Sequence, residues 1–381
     1  MTNLLIVIFL IIISVGIGYQ LLSIIVLRKV YSRKNNIIKL SKINYPLISI
    51  LKPIKGIDDQ LEENLESFYN LDYPNYEIIF GLHSNEDPAL NIIKQISLKY
   101  SNIKTKIVID NFMIGLNPKI NNLFNMYPKS DGTYILISDS NTRVEPLFLK
   151  KLMNEFNDNS VGLVTASIKG ISAKNIPSVF ENIHLNAFLL PSVFTASKIA
   201  KISIVIGKSI LIPRNILTQI GGFEAFKNYL AEDYLMGIKV EELGYKIITS
   251  PTFVDNINEN LTFNKFLNRH SRWAKMRAKI RLNTYLLEAF SNPISSSFIL
   301  AVILFNQFGL EQFLITCMTK LILDYSILRI INSDIKFYQL LFIPIKDLII
   351  GLLWFIPFLN SEVNWRNNTF RIRKDSLLQS I

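Results

Sequence analysis

The chain has 381 residues, which is enough for one sizeable catalytic domain with membrane segments and too few for a many-domain synthase. Its 49% hydrophobic content favours membrane segments, and its single cysteine excludes an intrachain disulfide and a cysteine zinc site. The net charge of +11 is also typical of nucleic-acid-binding proteins. However, the basic residues cluster beside apolar segments rather than along an aromatic groove, so we expect no nucleic-acid partner.

The first predicted element is an apolar stretch at residues 4–27, which contains no Asp, Glu, Lys or Arg. At about 1.5 Å per residue, a helix of this length crosses a hydrocarbon core of about 30 Å. A cleaved signal peptide is the alternative, but no basic region precedes the stretch and no small-residue cleavage site ends it. The positive-inside rule places the carboxyl side of this helix in the cytosol. The basic residues behind that expectation are Arg28, Lys29, Arg33, Lys34, Lys39 and Lys42.

Residues 46–138 alternate between predicted strands and helices. We expect strands at residues 46–51, 77–82, 104–109 and 134–138, and helices at residues 58–71, 89–100 and from 120 onwards. This alternation predicts an α/β fold with a mainly parallel, Rossmann-like sheet, covered on both faces. Ligands of such sheets bind at the carboxyl ends of the strands. Asp87 and Asp139 both follow predicted strand ends.

The region after residue 138 is less regular. Residues 204–213 form a strand candidate that is interrupted at residues 207–209, and residues 231–243 form a predicted helix that opens with Glu232 and Asp233. The apolar stretch at residues 185–197 is too short to span a bilayer. It is either a core helix or a segment lying against the bilayer.

The carboxyl third contains three apolar stretches, at residues 289–310, 312–328 and 337–361. The second carries Lys320 and Asp324, and the third carries Lys346-Asp347. A charge at mid-bilayer costs about 2.5 to 3.5 kcal/mol on insertion scales, so these residues should pair or face protein. The basic tail at residues 365–374 is expected in the cytosol, which requires an even number of crossings. One of the three stretches is therefore expected to be interfacial or re-entrant.

Three short polar motifs occur in an informative order: Asp139-Ser140-Asn141, Glu232-Asp233 and residues 269–273. A sugar nucleotide needs a carboxylate that holds a divalent cation against its phosphates, and Asp139 fits that role. A second carboxylate must take the acceptor's proton, and Asp233 is the candidate. Arg272 and Trp273 would steady the leaving diphosphate and floor the acceptor pocket. Each motif alone is weak, but their order predicts a membrane glycosyltransferase.

Several longer blocks support a family assignment. The chain resembles ceramide glucosyltransferases from about Pro46 to the basic tail. The blocks are residues 50–56, 71–74, 86–89, 117–123, 231–234, Arg269-x-x-Arg272-Trp273, 324–325 and 365–366. The resemblance implies a GT-A-type catalytic domain at residues 46–285, between a transmembrane helix with its linker at residues 1–45 and membrane helices with a basic tail at residues 286–381. It also implies inverting transfer of glucose from UDP-glucose to the primary hydroxyl of ceramide on the cytosolic face.

The resemblance also implies roles for single residues. The donor-binding residues would be Asp87 near the nucleoside, Lys119, Pro53, and Asp139 at the diphosphate and the Mg2+ or Mn2+ ion. The catalytic residues would be Asp233 as the base, with Arg269, Arg272 and Trp273. One departure is that the first acidic motif reads His83-Ser84-Asn85-Glu86-Asp87, which leaves the donor sugar open between glucose, galactose and others.

The acceptor and the membrane also remain open. The richness in Ile, Asn and Lys suggests an AT-rich, bacterial genome, so we expect a bacterial inner membrane, or a Golgi-type membrane in a eukaryote. Hopanoids and diacylglycerol are alternative acceptors. A processive polysaccharide synthase would need more spans to form a channel, and polyprenyl-phosphate glycosyltransferases typically lack the Arg-x-x-Arg-Trp motif. A catalytically dead scaffold would be expected to have lost some of the acidic residues, and all of them are present.

Overall fold

The computed structural model describes residues 2–32, 45–365 and 368–381. These residues form two compact units, each assembled from separate segments of the chain. The sheet unit comprises residues 34–170 and 199–258, and the helical unit comprises residues 1–33, 171–198 and 259–381. The predicted basic linker residues Arg33, Lys34, Lys39 and Lys42 lie outside the described residues.

The sheet unit is built on eight strands. In chain order they are β1 (Ile48–Pro53), β2 (Tyr76–Leu82), β3 (Lys104–Ile109), β4 (Tyr134–Ser138), β5 (Thr142–Arg143), β6 (Val161–Ile171), β7 (Ser209–Pro213) and β8 (Lys246–Ile257). Their spatial order is β3-β2-β1-β4-β7-β6-β8-β5. The first four are parallel, whereas β7 runs antiparallel to β4 and to β6. The carboxyl ends of β1, β2 and β4 therefore meet at one edge of the sheet.

The helices of the whole chain are numbered together with the strands. Those of the helical unit include α1 (Thr2–Ser32), α6 (Ile176–His184) and α7 (Leu190–Thr195). Those of the sheet unit are α2 (Leu61–Tyr69), α3 (Ala89–Lys99), α4 (Pro118–Met126), α5 (Phe148–Asn154), α8 (Arg214–Gln219) and α9 (Glu232–Glu242).

Two hydrophobic clusters cover the two faces of the large sheet. Along β2, the side chains of Ile78 and Phe80 join one cluster and that of Ile79 joins the other. Because successive strand residues point to opposite faces, this alternation shows that both faces are buried. Each fully buried aliphatic or aromatic side chain contributes roughly 1.5–3 kcal/mol. The result is a rigid platform for the loops at the carboxyl edge.

The described residues of the carboxyl part of the helical unit form six further α-helices and a small antiparallel sheet. The helices are α10 (Phe263–Ile280), α11 (Leu282–Glu288), α12 (Pro293–Leu304), α13 (Gln307–Ile330), α14 (Ile343–Leu353) and α15 (Ile356–Leu359). The small sheet has the order β11-β10-β9 and consists of β9 (Glu362–Trp365), β10 (Asn368–Ile372) and β11 (Leu378–Ser380).

Among the described residues, two helices are long and apolar enough to span a membrane. They are Asn3–Ser32 and Phe337–Leu359, and the bent pair Leu282–Ser291 and Pro293–Leu304, with an angle of 69°, would be a third span if it crosses as one. Helix α13 does not qualify. It carries Lys320 and Asp324, two of the four charges that would be costly in lipid.

The four charged residues of the carboxyl-terminal apolar stretches are paired inside the helical unit, as predicted. They are Lys320, Asp324, Lys346 and Asp347. Lys320 Nζ forms an ion pair with Asp324 and lies 3.6 Å from Asp347 Oδ2, and Lys346 pairs with Asp347. Gln20 of α1 also donates a hydrogen bond to Asp324. Pairing removes most of the cost of burying each charge, because an isolated buried ion would lose its hydration without compensation.

The predicted α/β fold class is confirmed: strands β1 to β4 form the expected parallel half of the sheet, and apolar helices lie near both ends of the chain. Strands β3 and β4 have the predicted limits. The strand predicted at residues 204–213 begins only at Ser209, and β6 and β8 were not predicted. Strands β9 to β11, in the region of the basic tail, were also not predicted. The predicted domain limits at 45/46 and 285/286 stay a prediction.

Candidate active site

Asp139 follows the last residue of β4, at the carboxyl edge of the sheet. Its side chain is 25% exposed and forms two ion pairs, from Oδ1 to Lys119 Nζ at 3.1 Å and from Oδ2 to Lys208 Nζ at 3.0 Å. The strand pairing explains the second contact, because antiparallel β7 pairs with β4 with Ser209 opposite Ser138. Lys208, the residue before β7, therefore lies beside Asp139.

Lys119 connects Asp139 with the second acidic motif. It lies in the first turn of α4, whose Asn117 accepts hydrogen bonds from the backbone amides of Lys119 and Ile120 and so caps the helix. The Lys119 ammonium group also contacts Glu232 Oε1 at 3.2 Å and donates to the carbonyl oxygen of Gly207 at 2.8 Å. One cation thus joins β4, the Gly207 loop and α9.

Asp233 lies in the first turn of α9, and its carboxylate accepts two backbone hydrogen bonds. Gly207 N donates to Oδ2 at 2.8 Å, and Tyr234 N donates to Oδ1 at 2.8 Å. Burial, together with the neighbouring Glu232 carboxylate, raises the pKa of Asp233 to about 6, although Lys119 and the two amides act in the opposite direction. A carboxylate with such a pKa is more basic than an ordinary Asp and suits general-base catalysis near neutral pH.

Glu232 and Asp233 are adjacent but have different surroundings. Glu232 is buried, and its carboxylate contacts the Lys119 ammonium group and accepts a hydrogen bond from Asn117 Nδ2 at 3.3 Å. Asp233 is partly exposed and forms no ion pair that the structure shows within the sheet unit. Of the two, Asp233 is therefore better placed to receive a proton from a substrate.

The side chains of Asp139 and Lys119 stay ionised. Burial tends to raise the pKa of Asp139, but Lys119 and Lys208 outweigh burial and hold that pKa well below its usual range. Burial tends to lower the pKa of Lys119, but Asp139, Glu232 and Asp233 raise it above its usual range. At neutral pH the cluster consequently contains a charged Lys119 beside a charged Asp139.

A third lysine supports the loop after β4. Lys52 of β1 is fully buried, and its ammonium group lies 3.6 Å from the centroid of the Phe68 ring. It donates to the carbonyl oxygen of Asp139 at 2.9 Å and to Ser138 Oγ at 3.3 Å. Burial lowers the pKa of Lys52 well below its usual range. These contacts fix the backbone that presents the Asp139 carboxylate.

The other predicted donor-binding residues occupy the loops after β1 and β2. Pro53 is the buried last residue of β1. Asp87 accepts hydrogen bonds from Gly56 N, at 2.9 Å to Oδ2, and from Ala89 N, at 3.0 Å to Oδ1, so it joins the loop after β1 to the start of α3. The structure thus shows a positioning role for Asp87, and contact with a nucleoside stays a prediction.

The Arg-x-x-Arg-Trp residues lie on α10 of the helical unit. Arg269 Nη1 donates to Glu181 Oε1 at 2.7 Å, and His270 Nε2 lies 2.9 Å from Glu181 Oε2. Burial opposes ionisation of Glu181, but Arg269 and His270 hold its pKa at about 2. The Arg269 guanidinium group is therefore held in an ion pair with the buried Glu181 carboxylate.

Arg272 and Trp273 have different neighbours on the same helix. The Arg272 guanidinium lies 5.8 Å from the ring centroid of Trp365 in β9, and the Trp273 ring centroid lies 5.3 Å from that of His270. Both residues are half-buried. The direct roles predicted for Arg269, Arg272 and Trp273 in the reaction stay predictions.

A divalent cation is compatible with the residues around Asp139. The described residues contain no cluster of three or more His, Cys, Asp or Glu side chains that could hold a metal. Mg2+ is commonly held by one or two carboxylates together with substrate phosphates, so the Asp139 carboxylate and the Asn141 amide oxygen are a suitable protein contribution. The two lysines on Asp139 mean that a cation must compete for this carboxylate.

Sequence analysis did not identify three residues that shape the site: Lys52, Lys208 and Gly207. The interruption at residues 207–209 was noticed only as a break in a strand. The available signals were a glycine and a lysine that interrupt a predicted strand, but their meaning depends on which strand β7 pairs with.

Gly207 offers a direct test of the Asp233 geometry. A Cβ atom at Gly207 would lie 2.6 Å from Asp233 Oδ2, so Gly207→Ala should displace that carboxylate. Because a misplacement of about 1 Å can cost about 10²-fold in rate, we expect a 10- to 100-fold loss of turnover. The measurement is turnover alongside thermal melting.

Gly162→Ala is the control for this prediction. A Cβ atom at Gly162 would lie 2.5 Å from Tyr245 Cβ, so the substitution should lower stability without a comparable loss of turnover. Equal turnover losses in the two variants would contradict the prediction.

Comparison with known proteins gives the class of this enzyme. The glycosyl transferase family 21 model matches residues 8–378, so the chain belongs to this family of glycosyltransferases. It is similar to ceramide glucosyltransferase 3 of Caenorhabditis elegans, with 29% identity over 336 residues, covering 86% of this chain and 73% of the relative. It is also similar to ceramide glucosyltransferase 1 of the same organism, with 27% identity, covering 86% of this chain and 72% of the relative. The predicted family is confirmed.

A bacterial relative and a solved structure extend the comparison. The probable glycosyltransferase YdaM of Bacillus subtilis is 28% identical over 235 residues, covering 60% of this chain and 55% of the relative. The mannosyltransferase PcManGT from Pyrobaculum calidifontis, solved in complex with GDP-Man and Mn2+, has 12% identity and a TM-score of 0.49. The match covers 91% of this chain and 98% of that structure.

Proposed function

We propose that the protein transfers glucose from UDP-glucose to the primary hydroxyl of ceramide or a similar membrane lipid, with inversion at the sugar. The observation that carries this proposal is the joining of Asp139 and Asp233 through Lys119 and Gly207 within one unit. Two ceramide glucosyltransferases among the relatives support the substrates.

The Asp139 end would bind the donor's diphosphate. Asp139 and Asn141 would hold a Mg2+ or Mn2+ ion, which neutralises the charge that develops on the leaving UDP. Lys119 keeps the Asp139 carboxylate ionised and oriented, because it contacts Oδ1 and is itself anchored to Gly207 and Glu232. Such preorganised charges require little rearrangement during the reaction.

The Asp233 end would activate the acceptor. The lipid hydroxyl oxygen would attack the anomeric carbon, the bond from that carbon to the UDP oxygen would break, and the hydroxyl proton would pass to the Asp233 carboxylate. The pKa of about 6 makes Asp233 a strong enough base to share that proton and leaves it ionised at neutral pH. Gly207 and Tyr234 hold the carboxylate in place through their backbone amides.

Arg272 and Trp273 are proposed to act on the diphosphate and on the acceptor. An arginine can give two parallel hydrogen bonds to a phosphate, whereas a lysine offers a point charge. Arg272→Lys should therefore lower turnover more than it lowers thermal stability, and Trp273→Ala should mainly raise the KM for the lipid. Steady-state kinetics and thermal melting measure both effects. Unchanged kinetics in both variants would leave these residues with a structural role alone.

The sheet unit would face the cytosol, where UDP-glucose is available. Arg28 and Lys29 at the carboxyl end of α1 agree with the positive-inside rule. We therefore expect that protease added outside intact cells leaves the sheet unit uncut and that permeabilisation exposes it. Immunoblotting with an antibody against the sheet unit measures this. Cleavage of that unit in intact cells would reverse the orientation.

The proposed substrates are tested by incubating the purified protein with labelled UDP-glucose or UDP-galactose and a panel of lipids. The panel should contain ceramide, diacylglycerol and a hopanoid, and mass spectrometry should identify the product. Glucosylated ceramide supports the proposal as stated. Transfer only to another lipid corrects the acceptor, a long polysaccharide product supports a processive synthase, and no transfer from either donor contradicts the proposed function.

A further inference from the structure

Lys208 contacts the same two side-chain oxygens that a divalent cation would use. Its ammonium group lies 3.0 Å from Asp139 Oδ2 and 2.6 Å from Asn141 Oδ1. A divalent cation that binds both oxygens at about 2.0–2.6 Å would lie within a few ångströms of this ammonium group, and the two positive charges would repel each other. Binding of the cation to both oxygens therefore favours displacement of the Lys208 ammonium group.

Lys119 is less able to yield than Lys208. Besides Asp139, Lys119 contacts Glu232 and the backbone carbonyl oxygen of Gly207, and these partners are not cation ligands in the proposed site. The Lys208 contacts with Asp139 and Asn141, in contrast, both end on proposed cation ligands. A cation that binds Asp139 and Asn141 would therefore compete mainly with the Lys208 ammonium group.

A displaced Lys208 ammonium group would lose its ion pair with Asp139. Its side chain is only 24% exposed, so a second anion close to Asp139 would offset the loss of that ion pair. In the proposed reaction, the anion that would bind beside Asp139 and the cation is the donor's diphosphate. The lysine side chain has a flexible four-carbon stem, which allows its ammonium group to change partner while the backbone stays in place.

We propose that Lys208 is a ligand of the donor diphosphate and that it competes with the divalent cation for Asp139. This inference rests on the proposed function. Its consequence is cooperative binding: a cation alone must displace an ammonium group, whereas a cation with a nucleoside diphosphate supplies the displaced group with a partner. Each ligand therefore increases the affinity for the other by the same factor.

The test uses the full chain purified in detergent, with Mn2+ alone, UDP alone and the two together as probes. Mn2+ binding is measured by electron paramagnetic resonance and UDP binding by calorimetry. In Lys208→Met we expect Mn2+ alone to bind about tenfold more tightly, because a competing positive charge is removed. UDP with Mn2+ should bind about 10- to 100-fold more weakly, because a charged hydrogen-bond donor is lost.

Two further variants make the result specific. Lys208→Arg keeps the charge, so its affinity for Mn2+ alone should stay close to that of the unchanged protein. Lys246→Met is the control for loss of an ion-paired lysine, since Lys246 pairs with Asp158 on an exposed surface of the same unit. This control should leave both affinities unchanged. Thermal melting of every variant verifies folding.

The outcomes separate this inference from the proposed function. Tighter Mn2+ binding with weaker UDP binding in Lys208→Met supports the inference. If the unchanged protein binds UDP with Mn2+ and Lys208→Met fails to show both changes, the inference is wrong while the proposed function stands. If the unchanged protein does not bind UDP at all, the proposed function fails and the inference fails with it. If Lys208→Met does not fold, equal Mn2+ and UDP affinities in Lys208→Gln and the unchanged protein overturn the inference.

Discussion

Asp233→Asn should reduce turnover by about 10²- to 10⁴-fold while leaving UDP binding nearly intact. The substitution preserves the shape of the side chain, and its amide oxygen can still accept the hydrogen bond from Gly207 N. It removes the basicity, however, so the acceptor's proton has no carboxylate to receive it. Turnover with UDP-glucose and the lipid, measured beside UDP affinity, checks the prediction.

The comparison variant is Glu232→Gln. The Glu232 carboxylate contacts the Lys119 ammonium group and Asn117, so in the proposed mechanism it positions Lys119 and does not receive the acceptor's proton. We expect a smaller reduction in turnover than for Asp233→Asn. If Asp233→Asn turns over like the unchanged protein, Asp233 is not the base and the proposed mechanism fails.

The pH profile gives a second measurement of the same group. The base must be deprotonated, and the pKa of Asp233 is raised to about 6, so kcat/KM should be maintained above that pH and should fall as the pH decreases through about 6. The residual activity of Asp233→Asn should lack this acidic limb. An unchanged limb in the variant would assign it to another group.

The parallel half of the sheet was predictable because its strands are short, apolar runs between polar turns. Strands β3 and β4 were predicted with the observed limits. Strand β4 is a buried, nearly continuous apolar run, whereas β3 lies at the edge of the sheet and begins with Lys104 and Lys106 before its apolar residues. Strands β6 and β8 give a weaker signal, because β6 contains two glycines and β8 contains a proline. No strands were predicted in the basic carboxyl-terminal region, where the basic residues were used only to assign the cytosolic side of the membrane.

The candidate site was predictable residue by residue only in part. Asp139 and Asp233 were predicted because their acidic motifs precede residues 269–273 in an informative order, although each motif alone is weak. The contact of Lys208 with Asp139 depends on the antiparallel pairing of β7 with β4 and on Ser209 facing Ser138. A shift of one residue in this register would point every β7 side chain to the other face. Such a pairing between distant segments has no local signature in a single sequence.

Asp139→Asn should abolish most of the activity, with a loss on the order of 10²- to 10⁴-fold. A bound cation supplies several kcal/mol of charge stabilisation to the transition state, and each 1.36 kcal/mol corresponds to tenfold in rate. An amide in place of the carboxylate would bind the cation weakly and would leave Lys119 and Lys208 without their shared anion. Turnover and Mn2+ affinity are the measurements, and chelation of divalent ions should inactivate the unchanged protein until Mg2+ or Mn2+ is restored.

The matched control for this prediction is Asp110→Asn. Asp110 follows β3 as Asp139 follows β4, but its exposed carboxylate accepts a hydrogen bond from Phe112 N at 2.9 Å and lies outside the ion-paired cluster. Its amide variant should retain activity and Mn2+ affinity, which separates the loss of a strand-end carboxylate in general from the loss of the cation ligand. Full activity of the unchanged protein in excess chelator would show that the lysines alone neutralise the diphosphate and that Asp139 serves to orient them.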